Sequence, residues 1–302
     1  MKIAVAGLGR MGSQIARKLA EDGHDVIAHN RSKAPIYEAT KFGAQPAHEK
    51  TDVIKVFTGK QLVIWLMVPA DIVDQQLDEW LTLAPKGSLF VDGGNSDFRM
   101  TKKRAEKVKA AGSELIDVGT SGGIWGYKNG FCMMVGGNEA AFKIVEPALK
   151  TLSEPCGGYQ YFADSGSGHF VKMVHNAIEY GMMQSLVDGY QILKEGPYKN
   201  LDLASAGKVW QKSSVITSWL NELAAEAIAE NPSMDGIEGV VAETGEARWT
   251  LEIAKEMNIP MPAIQAAFDV RLASQKGEIN YATKLLATIR NKFGGHDINP
   301  QA

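Results

Sequence analysis

Apolar residues follow two different patterns along the chain, and the pattern changes near residue 165. In the first part, short apolar runs typical of buried strands alternate with segments of helical period. The runs lie at residues 2–6, 25–29, 61–68, 88–92, 114–118 and 132–135, and the helical segments at 13–22, 70–83 and 100–111. This alternation predicts a Rossmann-type α/β domain, in which helices cover a doubly wound parallel sheet.

From His169 onward the spacing of apolar residues is helical, and no strand pattern of comparable strength occurs. Helical segments are predicted near residues 170–194, 202–230, 236–257, 262–275 and 281–290. We therefore predict an α/β domain over residues 1–165, followed by an all-α helical domain over residues 166–302.

The first strand leads directly into a glycine-rich turn. The turn has the GxGxxG pattern and consists of Gly7, Leu8, Gly9, Arg10, Met11 and Gly12. It follows a strand, opens a helix and precedes a second strand, which is the context that a dinucleotide-binding fingerprint requires. The glycines let backbone N–H groups approach a pyrophosphate at the helix N-terminus, where the helix dipole favours anions.

The residues that end the second strand bear on the choice of dinucleotide. NAD sites usually have Asp or Glu here to bind the ribose 2′-hydroxyl. This chain has Asn30, Arg31 and Ser32, followed by Lys33. A carboxylate would repel a 2′-phosphate, whereas these side chains can donate hydrogen bonds to it. The sequence therefore favours NADP, and NAD stays open if Arg31 is only a solvated surface cation.

Two glycine-rich segments follow later strands, at the edge of the sheet where α/β proteins bind ligands. The first is Gly93-Gly94-Asn95-Ser96, and the second is Gly-Thr-Ser-Gly-Gly at residues 119–123. Backbone amides and the Ser121 hydroxyl make the second segment a candidate cradle for a carboxylate. Either segment could instead be a tight turn without a binding role.

The helix predicted near the start of the second domain carries its polar groups on one stripe. On a 3.6-residue period, Lys172, His175, Asn176, Glu179 and Tyr180 share one face. Lys172 and Glu179 are seven residues apart, about 10.5 Å along the axis, and so are not an i, i+4 surface pair. That separation leaves room for a small polar substrate, to which an amine and a carboxylate supply a base and an acid. The alternative is a solvated face.

Composition argues against several classes of function. The 302 residues carry a formal net charge of −3, which gives no reason to expect nucleic acid or an acidic membrane as partner. The longest apolar run, residues 62–68, is too short to span a bilayer, and no export signal is visible, so a cytoplasmic protein is expected. Cys132 and Cys156 are expected to be buried thiols without a structural disulfide. No ligand spacing suggests a bound metal.

Taken together, the motifs resemble the 6-phosphogluconate dehydrogenases, within the β-hydroxyacid dehydrogenase superfamily. The resemblance covers nearly the whole chain and rests on the segments GLGRMG, HNRS, DGGNS, DVGTSGG, GSGHFVKMVHNAIEYG and RNKFGGH. The chain is the short form, since longer members carry a second copy of the helical unit before their tail. The resemblance implies oxidative decarboxylation of 6-phosphogluconate to ribulose 5-phosphate and CO2, in the pentose phosphate pathway, with NADP or NAD as hydride acceptor and no metal.

The resemblance also implies roles for individual residues. Lys172 matches the family's general base and Glu179 its general acid, while His175 and Asn176 match groups near the reacting carbons. The loop that holds the substrate carboxylate in the family is matched by Ser121, Gly122 and Gly123. The implied cofactor contacts are Gly7, Leu8, Gly9, Arg10, Met11, Gly12, Asn30, Arg31, Ser32, Met67, Val68 and Asn95, of which Asn95 lies between nicotinamide and substrate.

Further residues match phosphate contacts and the tail. Tyr180 and Arg271 match phosphate ligands, and Arg290 and His296 match residues that the longer enzymes lend to the partner subunit's active site, so a homodimer, or a tetramer, is expected. There is one departure. The longer enzymes have Lys and Thr phosphate ligands where this chain has Thr244 and Glu246, and Arg248 is a candidate replacement.

The implied chemistry fits the residues. A neutral Lys172 can take the C3 hydroxyl proton as hydride leaves C3, which requires a lysine pKa lowered to about 7 to 8. The resulting 3-ketone permits loss of CO2, after which Glu179 can protonate C1 of the enediol. Two alternatives stay open. A simple β-hydroxyacid dehydrogenase acting on an unphosphorylated acid would need Lys172 and Asn176 but not Glu179, Tyr180 or the tail, and a catalytically silent NADP-binding sensor would bind cofactor without turnover.

Overall fold

The structure, a computed structural model, describes residues 1–299. The chain forms two compact units, of which the first comprises Met1–Met173 and the second begins at Val174. The change from one unit to the next falls inside a single long helix, Ser167–Glu195.

One eight-stranded sheet forms the centre of the first unit. Its strands are β1 (Lys2–Ala6), β2 (Asp25–His29), β3 (Gln45–Ala47), β4 (Val63–Leu66), β5 (Leu89–Asp92), β6 (Glu114–Ser121), β7 (Cys132–Gly136) and β8 (Gly158–Tyr161). Their order is β3-β2-β1-β4-β5-β6-β7-β8, and all neighbours are parallel except β6 and β7, which are antiparallel. This confirms the predicted Rossmann-type α/β fold. β7 agrees with the strand predicted at residues 132–135, but its antiparallel direction is not predicted by the sequence pattern, and neither are the short strands β3 and β8.

Alternate residues of the central strand β1 face opposite sides of the sheet. Ile3 and Val5 belong to one hydrophobic cluster, whereas Ala4 and Ala6 belong to another. All four are at most 3% exposed. A parallel strand buried on both faces is a continuous apolar run in the sequence, which is the pattern found at residues 2–6.

Helices cover this sheet. They are α1 (Arg10–Glu21), α2 (Lys33–Thr40), α3 (Lys50–Val56), α4 (Val73–Leu81), α5 (Phe98–Ala110), α6 (Gly126–Asn129) and α7 (Glu139–Ser153). In α1, the buried residues are Gly12, Ile15, Ala16 and Leu19. Their spacing of three and four residues gives the helix one apolar face, which packs on the sheet.

The second unit is helical. Its helices are α8 (Ser167–Glu195), which begins in the first unit, α9 (Leu203–Trp210), α10 (Trp219–Glu230), α11 (Glu246–Glu256), α12 (Pro262–Ser274) and α13 (Tyr281–Gly294). Its main core packs Met183, Val187 and Tyr190 of α8 with Leu285 and Ile289 of α13. Residues 174–299 contain no strand, so the predicted all-α second part is confirmed.

One predicted helix is interrupted and another is shorter than predicted. The segment 202–230 is divided into α9 and α10, and Ser213 between them has a φ of 65°. The segment 236–257 becomes helical only at Glu246. The residues before it include Gly236, Gly239 and Gly245, whose φ values of 73°, 80° and 99° a right-handed helix cannot contain.

The prediction that both cysteines are buried is wrong. Cys132 and Cys156 are free thiols and both are exposed. Cys132 is the exposed first residue of β7, whose other four residues are buried, and Cys156 lies in the connection between α7 and β8. Neither position is inside the packed part of the sheet.

Residues 1–299 contain no helix with the length and apolarity needed to cross a membrane. Within these described residues, no group of three or more His, Cys, Asp or Glu side chains is placed to hold a metal ion.

Candidate active site

The turn after β1 requires glycine at two positions. A Cβ on Gly7, whose φ is 98°, would lie 2.4 Å from the backbone oxygen of Met67. A Cβ on Gly12 would lie 2.0 Å from the backbone oxygen of Gly7. Gly9 precedes α1, whose first turn contains no acidic side chain. The N–H groups at the start of α1 therefore stand at the edge of the sheet, where they can bind an anionic pyrophosphate.

Asn30 joins this turn to the loop after β2. Its Oδ1 accepts a hydrogen bond from the Leu8 N–H at 3.0 Å, and its Nδ2 donates to Ser32 Oγ at 2.9 Å. The Asn30 amide thus holds two loops together, a role that the sequence does not reveal. Arg31 and Ser32 beside it are exposed.

The other candidate cofactor contacts lie along the same edge. Leu8 is 4% exposed, Met11 and Met67 pack partly buried against one core cluster, and Val68 packs against the other. Arg10 is exposed at the start of α1. Because β1 and β4 are parallel neighbours, the residues that follow them meet at the carboxyl edge of the sheet.

An ion-pair network holds the loop after β5. Asp92, which is 1% exposed, accepts hydrogen bonds from Ser96 Oγ at 2.8 Å and from the Gly94 N–H at 3.3 Å. Arg104 of α5 donates to Ser96 Oγ at 3.0 Å and to an Asp74 carboxylate oxygen at 2.8 Å. The backbone on both sides of Asn95 is therefore fixed.

Asn95 itself has an unused acceptor. Its Oδ1 is buried and has no hydrogen-bond partner among residues 1–299. A buried amide oxygen left unpaired costs about 1–3 kcal/mol, which a donor on a bound ligand would offset. Asn95 is thus positioned to accept a hydrogen bond from a ligand at this edge.

β6 leads into the second glycine-rich loop. Ser121 is the last residue of the strand, and Gly122 and Gly123 follow it with φ values of 125° and 52°. Both values favour glycine over any other residue. All three residues are partly exposed, so their hydroxyl and backbone N–H groups are accessible to a ligand.

A buried carboxylate of β6 caps the start of α8. Asp117 is 0% exposed and accepts hydrogen bonds from the backbone N–H groups of Gly166 at 2.7 Å and His169 at 2.8 Å. These donors would otherwise be unsatisfied at the helix N-terminus, and the negative charge is favourable at that end of the helix dipole. Asp117 therefore anchors the first turn of α8 to the sheet.

Two glycines let α8 lie directly on the sheet. A Cβ on Gly168 would lie 2.4 Å from the backbone oxygen of Met134, and a Cβ on Gly119 would lie 2.3 Å from the Cβ of Lys172. Lys172 is 4% exposed. Its stem thus packs on β6, close to the point where the strand leads into the loop of Ser121.

In the second unit, a tyrosine of α8 meets two buried arginines. The guanidinium of Arg271 lies over the ring of Tyr180, 3.2 Å from its centroid. Arg271 is 1% exposed and Arg290 is 5% exposed. Burial lowers the pKa of both arginines, to about 10 for Arg271, because a buried cation loses its hydration.

Arg271 also has an unused donor. Its Nη2 is buried without a hydrogen-bond partner among residues 1–299, whereas its Nη1 donates to the backbone oxygen of Ala242 at 3.5 Å. Phosphate oxygens are the acceptors that a guanidinium binds best. The arginine pair is therefore suited to hold an anionic group.

Two carboxylates partly offset these cations. The charges of Glu179 and Glu246 oppose the effect of burial and raise the pKa of each arginine, which places both carboxylates near the pair. Glu246 is 5% exposed, and it stands at a position to which the resemblance assigns a phosphate ligand in the longer enzymes. The structure thus brings Glu179, Tyr180 and Arg271 near Arg290 and Glu246 within one chain, whereas the resemblance implies that Arg290 serves the partner subunit's site.

Glu246 is tied to the polar stripe of α8. Asn176 Nδ2 donates to Glu246 Oε1 at 2.9 Å, and Thr244 Oγ1 donates to Glu246 Oε2 at 2.5 Å. His175 Nδ1 lies 2.9 Å from Asn176 Oδ1. The two residues that depart from the longer enzymes therefore bind one another and a candidate substrate contact.

Arg248, the candidate replacement for the missing phosphate ligands, is engaged elsewhere. Its Nη2 pairs with Glu243 Oε1 at 2.5 Å, and its side chain is 51% exposed. Arg271 and Arg290, in contrast, are buried and lie near Tyr180.

His296 lies on the segment after α13. Gly295 ends that helix with a φ of 62°, and Asn291 Nδ2 donates to the backbone oxygen of His296 at 2.7 Å. Further on, Asn299 Nδ2 donates to the backbone oxygen of Gly236 at 3.0 Å. In a single chain, residues 295–299 thus contact their own unit.

Two family models match this chain. The model described as the NAD binding domain of 6-phosphogluconate dehydrogenase matches residues 2–161, and the model of the 6-phosphogluconate dehydrogenase C-terminal domain matches residues 168–298. The chain belongs to the 6-phosphogluconate dehydrogenase family. The recognition made from the motifs is confirmed, and the first unit contains an NAD-binding domain of a dehydrogenase family.

Individual relatives extend over the full length of the chain. The NAD(+)-dependent, decarboxylating 6-phosphogluconate dehydrogenase of Haloferax volcanii is 38% identical over 300 residues, covering 99% of this chain and 98% of the relative. The decarboxylating 6-phosphogluconate dehydrogenase of Synechococcus elongatus is 31% identical and covers 97% of this chain, which spans 66% of that longer relative. The family thus includes proteins of this length as well as longer ones.

A solved structure of the family has the same fold. Plasmodium falciparum 6-phosphogluconate dehydrogenase, determined in its apo form, with NADP+ and with 6-phosphogluconate, is 25% identical to this chain. Its TM-score is 0.82, and the match covers 96% of this chain and 70% of that one.

Some residues that hold the candidate site residues in place are not predicted from the sequence. Asp117 and Gly119 of β6, and Glu246 of α11, contact candidate site residues or the helix that carries them. A usable signal exists for Asp117, because a carboxylate inside an otherwise apolar strand must find buried donors. For Glu246 the sequence shows only the departure and gives no indication of its partners.

Proposed function

We propose that this protein catalyses the oxidative decarboxylation of 6-phosphogluconate to ribulose 5-phosphate and CO2, a step of the pentose phosphate pathway, with NADP as the preferred hydride acceptor. The observation that supports this most directly is the burial of Lys172, 4% exposed, against Gly119 beside the glycine loop of β6. An amine in that position can act as the base that the first step requires.

The first step oxidises C3 of the substrate. NADP, held at the glycine turn of residues 7–12, would supply the acceptor for the hydride that leaves C3. The proton of the C3 hydroxyl leaves with it, and the Lys172 amine takes that proton. The products are a 3-ketone and a lysine ammonium, so charge and protons balance.

The second step breaks the bond between C1 and C2. The carboxylate leaves as CO2, and the electron pair of the broken bond moves towards the ketone oxygen. That oxygen receives a proton from the Lys172 ammonium. The resulting enediol is protonated at C1 of the product by Glu179, while a hydroxyl proton returns to Lys172. Both groups lie on α8, about 10.5 Å apart along the axis, so each can serve a different carbon.

Substrate binding is assigned to three groups of residues. Ser121, Gly122 and Gly123 bind the carboxylate, and Asn95, His175 and Asn176 bind hydroxyl groups. Tyr180, Arg271 and Arg290 bind the phosphate. The buried, unpaired Nη2 of Arg271 supports the phosphate assignment, since a phosphate oxygen supplies the acceptor it lacks among residues 1–299.

The first unit fits a dinucleotide on two structural grounds. The glycine turn is a cradle that a Cβ would fill, and Asn95 Oδ1 is a buried acceptor in need of a donor. We assign pyrophosphate binding to residues 7–12. Met67, Val68 and Asn95, at the adjoining edge of the sheet, are assigned as further cofactor contacts. Exposed Arg31 and Ser32, with no carboxylate among residues 30–33, favour a 2′-phosphate and hence NADP over NAD.

We assign cofactor binding, with the substrate contacts of Asn95 and residues 121–123, to residues 1–165, and the remaining substrate binding and dimerisation to residues 166–302. Ile178 and Met182 lie one turn apart on α8 and are 50% and 45% exposed, which supports contact with another subunit. In the proposed homodimer, or a tetramer built from it, the tail with His296 completes the partner's site.

One observation favours a second candidate. Glu246 places a buried carboxylate beside Arg271 and Arg290, which reduces the positive charge available to a phosphate. A dehydrogenase acting on an unphosphorylated β-hydroxyacid would fit that reduced charge.

A substrate comparison separates the two candidates. We expect kcat/KM for 6-phosphogluconate to exceed that for gluconate at least about 100-fold, since charge-assisted hydrogen bonds to phosphate contribute about 1.5–3 kcal/mol each. The measurement is the initial rate of NADPH formation with 6-phosphogluconate, gluconate and 3-hydroxyisobutyrate under identical conditions. Equal use of gluconate, or a preference for 3-hydroxyisobutyrate, would select the second candidate.

A further inference from the structure

Glu246 has no role in the proposed mechanism, but it is joined by a chain of hydrogen bonds to Asn176 and His175, which are assigned to the substrate hydroxyls. Asn176 Nδ2 donates to Glu246 Oε1 at 2.9 Å, and Asn176 Oδ1 faces His175 Nδ1 at 2.9 Å. Glu246 is 5% exposed, and its negative charge lies near the positive charges of Arg271 and Arg290. The three residues belong to the second unit.

The chemistry of these groups fixes the direction of each hydrogen bond. A carboxylate only accepts, so the amide must turn its NH2 group to Glu246 and its oxygen to His175. An amide oxygen also only accepts, so the proton between Asn176 and His175 must belong to His175 Nδ1. In a neutral imidazole with a proton on Nδ1, Nε2 is the acceptor nitrogen.

A second set of contacts fixes the other oxygen of Glu246. Thr244 Oγ1 donates to Glu246 Oε2 at 2.5 Å, so its own lone pair is available to the Tyr180 hydroxyl at 3.4 Å. The Thr244 N–H donates to Tyr180 Oη at 3.2 Å. Glu246 is therefore held from both sides and cannot turn away from Asn176 without breaking the contacts to Thr244.

We propose that Glu246 is a positioning residue that selects the tautomer of His175 through Asn176. Its carboxylate orients the amide, the amide places the imidazole proton on Nδ1, and Nε2 then accepts a hydrogen bond from a substrate hydroxyl. The last clause rests on the proposed function, whereas the tautomer itself does not. This gives the departure at position 246 a role in orienting substrate contacts, separate from binding phosphate.

Nitrogen NMR of the full-length protein tests the tautomer without any ligand. The protein is labelled with 15N-histidine and measured near pH 9, where an ordinary imidazole is neutral. A His175→Gln variant identifies the His175 signals. We expect His175 to carry its proton on Nδ1 in the native protein, and a proton found mainly on Nε2 would overturn the proposal.

Glu246→Gln tests the part played by the carboxylate. A glutamine amide offers both a donor and an acceptor, so Asn176 can take either orientation and both tautomers of His175 should be populated. Glu243→Gln is the matched control. It removes a carboxylate from the same segment, but the Glu243 carboxylate pairs with Arg248 and not with Asn176. We expect the control to keep the native tautomer. An unchanged tautomer in Glu246→Gln would show that Glu246 does not select it.

Kinetics of the same variants report on the substrate. We expect Glu246→Gln to raise KM for 6-phosphogluconate about 3- to 10-fold, the effect of weakening one hydrogen bond, while KM for NADP is unchanged. A positioning role is contradicted if both KM values change equally. If 6-phosphogluconate is not turned over at all but the tautomer is as expected, the proposed function fails and the tautomer assignment stands.

Discussion

Arg31 decides, in this account, between NADP and NAD. It is exposed beside the glycine turn, and its neighbour Asn30 is occupied in binding Leu8 and Ser32. A guanidinium in this place has room to pair with a 2′-phosphate. The selectivity is therefore assigned to one side chain.

Replacing Arg31 by Asp should reverse the preference. We expect kcat/KM for NADP to fall about 10- to 100-fold, because a charge-assisted contact is lost and a repulsive charge is added, while kcat/KM for NAD changes little. Initial rates with each cofactor at saturating 6-phosphogluconate provide the measurement. Lys60→Asp is a matched control. It makes the same change of charge, but Lys60 lies before β4, whereas Arg31 follows β2 at the proposed cofactor site. An unchanged ratio of NADP to NAD use in Arg31→Asp would mean that the 2′-phosphate binds elsewhere.

Residues with a strong local pattern could be predicted, and residues that act through distant partners could not. The stripe from Lys172 to Tyr180 follows from helical periodicity alone, and the glycines of the turn follow from their position between strand and helix. The sequence predicts Asn30 as a ligand contact, but its hydrogen bond to Leu8, 22 residues away, is visible only in the fold. The partners of Glu246 are similarly remote in sequence, since Asn176 is 70 positions away.

At the scale of elements, the packing of α8 on β6 determines the position of Lys172, the proposed base. Asp117 caps the first turn of the helix, and Gly119 leaves space for the stem of Lys172. Because the interior is close-packed, a single added methyl group at Gly119 must displace the helix.

Gly119→Ala tests this packing. Its Cβ would lie 2.3 Å from the Cβ of Lys172, so the helix has to move. We expect kcat to fall about 10- to 100-fold, with a loss of about 1–3 kcal/mol in unfolding free energy and no change in the dissociation constant of NADP. Steady-state kinetics, urea unfolding and cofactor titration give the three quantities.

Gly158→Ala is the matched control for that variant. Gly158 lies in β8 of the same sheet, and a Cβ there would meet nothing within 4 Å. We expect its kcat to stay within about twofold of the native value. A Gly119→Ala enzyme with native kcat would contradict the packing account.

The long elements could be predicted because their patterns are continuous, and the errors have local causes. The helix expected near His169 begins at Ser167, and the buried strands β1, β2 and β5 lie within one residue of their predicted ends. The predicted helix at 236–257 is wrong over its first part because three glycines there have positive φ. Strands β3 and β8 have three and four residues and are mostly not fully buried, so they leave no clear apolar run.

At the scale of the whole molecule, the proposed homodimer makes each active site depend on two chains. Within one chain, residues 295–299 contact their own unit, and His296 stacks edge-on against Phe293 at 6.2 Å. Whether His296 serves its own site or the partner's is a question about the assembly, which a mixture of inactive variants can answer.

Complementation tests the shared site. In a mixed dimer of Lys172→Ala and His296→Ala chains, one site would contain both native groups if the tail acts on the partner. In the purified mixed dimer about half of the sites are then native, whereas neither variant alone is active. Co-expression with two different affinity tags, followed by an activity assay of the doubly tagged dimer, provides the measurement. Inactive mixed dimers would assign the tail to its own chain, and an active His296→Ala variant would remove His296 from the site.

The central claim is that Lys172 drives both oxidation and decarboxylation of 6-phosphogluconate. Its most direct test is the ratio of CO2 released to NADPH formed, measured on native protein and on Lys172→Ala. We predict one CO2 for each NADPH in the native protein, and a kcat about 10²- to 10⁴-fold lower in the variant with unchanged NADP affinity. NADPH formation without CO2, or a nearly native rate in Lys172→Ala, would contradict the account.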